Sequence, residues 1–255
     1  MAKVRPYYAE GSLSAAFYDL VTEADTRLRG DIDIYADLAS PGTSVLELGA
    51  GSGRIAAALA ERGFTVTGVD IAPAMLARAG ARLARLRPEA AMRVTLRRGD
   101  MTALDLKTTF DAVICPFFTL AHVPAGAAWR NAFATAARHL GAGGLAAFHL
   151  PRIEVMRRPG PPDPGLPVMD QALEDGRRLR LFVRERSFRE DVGRFDQVVE
   201  YVVVDAAGRV LDRSPERLTF YMADPRPLAA VAGLVPDRPP IPLGEVGDIW
   251  VFRKA

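Results

Sequence analysis

The chain is predicted to adopt a doubly wound α/β fold. The expectation is a mostly parallel, seven-stranded sheet with helices on both faces and an antiparallel β insertion after the fifth strand. Three observations predict it. A strand-like run, Val45 to Leu48, leads into three glycines spaced two apart, Gly49, Gly51 and Gly53. Strand-like and helix-like segments then alternate, as right-handed crossovers between parallel strands require. After Pro151 the alternation stops, and long β-branched and aromatic runs follow one another, as antiparallel strands do.

Residues 12 to 40 read as two helices. Ala15, Phe17 and Leu20 give the first an apolar face; Ile32, Ile34, Tyr35 and Leu38 give the second, with Asp31 placed to cap it. Pro41-Gly42 breaks the chain. Thr43 to Leu48 is the first strand and Arg54 to Glu61 a helix. Phe64 to Val69 is the second strand, and Pro73, suited to a first helical turn, opens Ala74 to Leu86. Met92 to Leu96 and Phe110 to Cys115 are the third and fourth strands. Ala127 to Leu140 is a helix ended by Gly141 and Gly143-Gly144, and Leu145 to Leu150 is the fifth strand. Pro159 to Pro167 is too rich in proline and glycine for a helix. Leu179 to Phe188, Arg194 to Val204 and Val210 to Met222 form a meander, with a turn at Ala206-Ala207-Gly208. A short helix from Pro227 to Gly233 and a strand from Ile249 to Arg253 follow. One domain is expected over 1–255. Within it, 31–150 is the cofactor-binding core, 151–222 an inserted β-rich cap, and 223–255 the C-terminal strands completing the sheet.

Composition narrows the function classes. A hydrophobic content of 49% over 255 residues supports a sizeable core. The net charge of +2 comes from bases interleaved with acids, so no nucleic-acid footprint is expected. The single cysteine, Cys115, excludes an intrachain disulfide and fits a reducing compartment. The N-terminal Met-Ala-Lys-Val-Arg-Pro-Tyr-Tyr lacks a signal-peptide core, and no apolar run is long enough to span a membrane. A cytoplasmic protein is expected.

The glycine run carries the first functional argument. Glycines remove Cβ atoms and permit positive φ, so backbone can approach a ligand at the start of a helix. Asp70 ends the second strand, where a carboxylate can take two ribose hydroxyls. Dinucleotide sites favour G-x-G-x-x-G. Here the run is G-x-G-x-G, and Glu47 stands two residues before it. An acid there suits a cofactor with an ammonium group and no pyrophosphate. A nicotinamide-dependent oxidoreductase is therefore the weaker alternative.

Four segments in order carry a family resemblance. Glu47-Leu-Gly-Ala-Gly-Ser-Gly-Arg54 resembles the first motif of class I S-adenosylmethionine-dependent methyltransferases. Val69-Asp70-Ile71-Ala72-Pro73-Ala74-Met75-Leu76 is similar to their second segment, Arg98-Gly99-Asp100-Met101 to their third, and Phe110 to Cys115 to their fourth strand. The resemblance implies that Glu47, Gly49, Ala50, Gly51 and Gly53 contact the methionine portion. It implies that Asp70 holds the ribose, Ile71 packs on the adenine, Asp100 accepts the adenine amino group and Met101 flanks the ring. Cys115 and Pro116 would line the methyl-donating side.

The acceptor side is read from Pro116-Phe117-Phe118-Thr119-Leu120-Ala121-His122. The Asn/Asp-Pro-Pro-aromatic pattern of DNA-base methylation is absent, and no acid cluster of the metal-dependent catechol type accompanies Asp111. No metal is expected. The segment, with the β insertion and Tyr18-Asp19, is similar to a bacterial small-molecule subgroup that includes amino-sugar N,N-dimethyltransferases. His122 is the lead acceptor-side residue, able to take a proton or orient the acceptor. Tyr18 would close over the sulfonium. His149 ends the fifth strand at the same edge; a core role is the competing reading. Methyl transfer to a small-molecule amine is favoured, with O-methylation of a hydroxyl or carboxyl group, or a non-catalytic protein of the same fold, as alternatives. Arg177, Arg178, Arg180, Arg184 and Arg186 read either as a solvated strand face or as an anionic acceptor site. Pairing of exposed strands between two copies would give a homodimer.

Overall fold

The computed structural model of the protein describes residues 4–9, 11–25 and 29–255. The reading of 12 to 40 as helical thus falls partly, at 26–28, outside the described residues. In chain order the elements are β1 (Arg5–Pro6), α1 (Leu13–Ala16), α2 (Tyr18–Ala24), α3 (Asp31–Ala36), β2 (Ser44–Leu48), α4 (Arg54–Glu61), β3 (Thr65–Asp70), α5 (Pro73–Leu83), α6 (Pro88–Ala91), β4 (Val94–Arg98), β5 (Phe110–Cys115), α7 (Ala127–His139) and β6 (Leu140–Pro151). Then come α8 (Ile153–Met156), β7 (Met169–Ala172), β8 (Arg178–Arg189), β9 (Arg194–Val204), β10 (Val210–Tyr221), α9 (Pro225–Val231), β11 (Leu234–Pro236), β12 (Ile241–Leu243) and β13 (Gly247–Lys254). Among the described residues no helix is long and apolar enough to cross a membrane.

The chain divides into two compact units: residues 25–152 with 223–255, and residues 1–24 with 153–222. The first holds an eight-stranded sheet in the order β11-β13-β6-β5-β2-β3-β4, with β12 also on β13. β2 to β6 are parallel. β13 runs antiparallel to β6, and β11 and β12 antiparallel to β13. The expected seven strands are therefore corrected to eight in a mixed sheet. β11 and β12 have three residues each, too few to show a period of two, and pair locally with a strand close by in sequence.

Alternation along the strands builds two apolar layers. Leu46, Leu48, Val113, Cys115 and Phe148 pack with Trp129, Phe133 and Ala136 of α7. Val45, Ala112, Ile114, Ala147 and Ile249 pack on the opposite face with Tyr35 of α3 and Ile55 and Leu59 of α4. Burying each large side chain contributes roughly 1.5–3 kcal/mol. α7 passes straight into β6, so the glycines expected to end the helix lie inside the strand. Gly144 is needed there because a Cβ would sit 2.8 Å from the Asp111 carbonyl oxygen. Asp31 is not a cap. Gly30, at φ 91°, holds that position, while buried Asp31 forms a two-pronged ion pair with Arg54.

The second unit is a five-stranded sheet in the order β1-β10-β9-β8-β7. β7 to β10 are antiparallel, and the short β1 adds in parallel to β10. The N-terminal segment therefore joins the sheet built from the region after Pro151. Phe17 and Leu20 pack over Leu179, Val199, Tyr201 and Val203. The Tyr7 and Tyr201 hydroxyls meet at 2.6 Å, and buried Glu216 of β10 accepts the Ser14 amide at 3.2 Å.

Candidate active site

Parallel strands deliver their carboxyl ends to one edge, and β2 and β5 lie side by side although β3 and β4 intervene in sequence. Such a reversal of strand order opens a crevice for ligands. The turn after β2 is built from glycines in left-handed conformation: Gly49 at φ 75°, Gly51 at φ 55° and Gly53 at φ 76°. Gly49 and Ala50 both donate to the Val69 carbonyl, at 2.8 and 2.9 Å. A Cβ on Gly49 would overlap the side chain of Thr119 in the turn after β5, and one on Gly53 would lie 3.0 Å from Ala79 of α5. The loop is therefore pressed between the β5 turn and α5. Thr119 escaped the sequence reading, since nothing around it marks a contact with a loop seventy residues away.

Asp70 braces this loop from β3. One carboxylate oxygen accepts the Gly51 amide and the other the Ala72 amide, both at 2.8 Å. Each oxygen keeps a lone pair for a ligand. Ile71, next in sequence, is 62% exposed, an apolar surface at the strand end with no core role. Asp100 follows β4 and uses one oxygen to hold the Thr102 amide and hydroxyl, both at 2.8 Å. Met101 packs partly against the core.

Glu47 lies on β2 and is 2% exposed. Burial pushes its carboxyl up to about 8, against the opposing pull of Arg54 and of a hydrogen bond from the Ala56 amide. Its Oε2 is buried without a hydrogen-bond partner. A buried acceptor left unpaired is costly unless a ligand donor reaches it. This atom, the Cβ-free loop and the Asp70 carboxylate fit S-adenosylmethionine, which carries an ammonium group and a ribose.

The β5 turn forms the neighbouring wall. Cys115 and Pro116 are buried, and burial raises the thiol to about 12, so it is neutral. Phe117 and Phe118 adopt left-handed φ values of 49° and 59°, a strain of roughly 1–3 kcal/mol each. Thr119 closes the turn by donating its hydroxyl to the Pro116 carbonyl at 2.6 Å. Phe118 packs on His149, their ring centroids 4.3 Å apart. His149 is 1% exposed with neither ring nitrogen hydrogen-bonded, and burial lowers it to about 3. Gly247 admits it: a Cβ there would be 2.6 Å from His149 Nε2. His122 lies exposed in a 3-10 turn (Thr119–His122). Glu47, the glycines, Asp70, Cys115, Pro116 and His122 thus belong to one unit. Tyr18 belongs to the other, where it packs edge-on against Tyr8 at 5.2 Å.

The fold and these loops define the class. Residues 45–144 match the family described as "Methyltransferase domain". Its fold is that of S-adenosylmethionine-dependent methyltransferases. The CcbJ methyltransferase from Streptomyces caelestis is similar at 22% identity and a TM-score of 0.72, with 98% of each chain covered. The sugar N-methyltransferase KedS8 from Streptoalloteichus sp. is similar at 20% identity and a TM-score of 0.69, covering 100% of this chain and 98% of that one. CalS10, an amino pentose methyltransferase from Micromonospora echinaspora, is similar at 23% identity and a TM-score of 0.67, covering 97% and 98%. No curated protein sequence matches the chain.

Proposed function

We propose that this protein transfers the methyl group of S-adenosylmethionine to a small-molecule acceptor, at an amine nitrogen. The observation that carries the cofactor assignment is the unpaired, buried Glu47 Oε2 beside the glycine loop and Asp70. Glu47 would hold the ammonium group, Asp70 the ribose, Ile71 the adenine face, and the second oxygen of Asp100 the adenine amino group, with Met101 flanking the ring. When bound, the cofactor supplies an electrophilic methyl group on a sulfonium.

The chain's part is alignment, exclusion of water and proton removal. Pro116 and Cys115 wall the reacting side. Phe117 and Phe118 bring apolar bulk to the same turn. His122 would accept the proton an amine releases. An amine needs no strong base, and among the described residues none stands in the β5 turn, which favours nitrogen over a hydroxyl acceptor. The similarity to the sugar N-methyltransferase KedS8 and the amino pentose methyltransferase CalS10 points the same way. Edge pairing of β7 between copies would form a homodimer, and the lone buried thiol suits the cytoplasm.

The test is calorimetric titration with S-adenosylmethionine and, separately, NADH. Saturable binding of the methyl donor alone is expected. Asp70→Ala should weaken it by roughly 10- to 100-fold, because a charge-assisted contact is lost and the loop loses its brace. Donor affinity unchanged in Asp70→Ala would remove the site assignment.

A further inference from the structure

Arginine is abundant in the unit formed by 1–24 and 153–222, and most of it is neutralised within the fold. Arg178 and Arg180 share Asp170. Arg184 and Arg213 share Glu200. Arg177 pairs with Asp175, and Arg194 with Asp196. Four of the five arginines that left an anionic site open at the sequence level are therefore self-paired. The fifth, Arg186, is not.

Arg186 on β8 and Arg158 just after α8 form no ion pair among the described residues, and both line a cavity of about 250 Å³. Arg186 is fixed in place. Its Nη2 donates to the Val155 carbonyl at 2.7 Å, and its guanidinium lies 4.9 Å from the Phe195 ring centroid. Its Nε is buried with no acceptor. Burial and the like charge of Arg158 both lower its pKa. One carboxylate, Glu190, lines the cavity, and both its oxygens are taken by Arg157 at 2.7 and 2.6 Å. Three guanidinium groups thus face one committed carboxylate. A cation half withdrawn from water with an unpaired N–H is compensated when an anion enters.

We propose that this cavity is a binding pocket for the phosphate group of a small molecule, held by Arg186 and Arg158. A planar carboxylate is satisfied by one guanidinium fork. Two guanidinium groups, one from β8 and one from the segment after α8, approach the cavity from different elements and make a donor set in three dimensions, which suits a tetrahedral dianion. The pocket stands independently of the methyl-transfer assignment, since no residue of the cofactor site contributes to it.

Calorimetric titration of the full chain with inorganic phosphate, phosphoethanolamine, ethanolamine and acetate tests the proposal. Saturable phosphate binding is expected. Phosphoethanolamine binding at least as tightly as phosphate, with ethanolamine silent, identifies a phosphate ester as the occupant; binding of inorganic phosphate alone identifies the free ion. Arg186→Gln should weaken phosphate binding by roughly tenfold or more, and so should Arg158→Gln, whose exposed side chain can be lost without unfolding the unit. Affinity for S-adenosylmethionine should be unchanged in both variants. No saturable phosphate heat, phosphate affinity equal to wild type in a folded Arg158→Gln, or acetate binding as tightly as phosphate overturns the proposal.

Discussion

Glu47 and His149 are buried on one face of the same sheet and have opposite consequences for pH. Glu47 rises from 4.5 to about 8. The folded protein keeps a proton that the unfolded chain gives up, so this contribution to stability is full below pH 4.5 and is lost as pH rises through about 8. His149 falls from 6.5 to about 3. Its contribution is full above pH 6.5 and is lost as pH falls through about 3. Glu47→Gln should therefore flatten the decline of the thermal midpoint on the alkaline side, and His149→Gln the decline on the acid side. Scanning calorimetry across pH would show it; variants with wild-type slopes would refute the assignment. A bound ammonium group would also draw the proton from Glu47, so donor binding below pH 8 should release protons. At this scale sequence spacing revealed the glycines and Asp70, which lie near one another along the chain. It could not reveal the Asp31–Arg54 pair or the Thr119 contact, because both depend on how distant segments are packed.

Elements differ in how strongly their residues announce them. α4, β5 and β9 run between the bounds their patterns predict, since each is long enough to show a face or an apolar run. β1, β7, β11, β12 and α6 went unseen because each has two to four residues and is held by its neighbours. α9 shows local chemistry deciding a boundary. Asp224 caps it by accepting the Arg226 amide at 3.0 Å, and Pro225 begins the helix, two residues before the predicted start. Asp224→Ala should cost about 1 kcal/mol in urea denaturation, with Asp224→Asn close to wild type. An unchanged midpoint in Asp224→Ala would show that α9 is held by the packing of its Leu228 and Ala229 against the core alone.

At the scale of the molecule, the chain crosses between its two units more than once. Residues 1–24 fold with 153–222, and 223–255 return to the first sheet. The switch from alternating to consecutive strands after Pro151 was legible as a change of pattern. The membership of the N-terminal segment was not, because its tie is a two-residue strand and a buried Glu216 contact from the far end of the chain. The first unit also contains the chain's one sulfhydryl, at Cys115, with no exposed surface and a pKa of about 12. A maleimide can reach it only when that unit opens, so alkylation becomes a clock for opening. Saturating S-adenosylmethionine at about 100 times its Kd should slow that clock roughly 100-fold. Labelling as fast as an unstructured peptide would contradict the burial. The same cysteine that chemistry cannot touch in the closed protein thus reports, without any added probe, how often that unit comes apart.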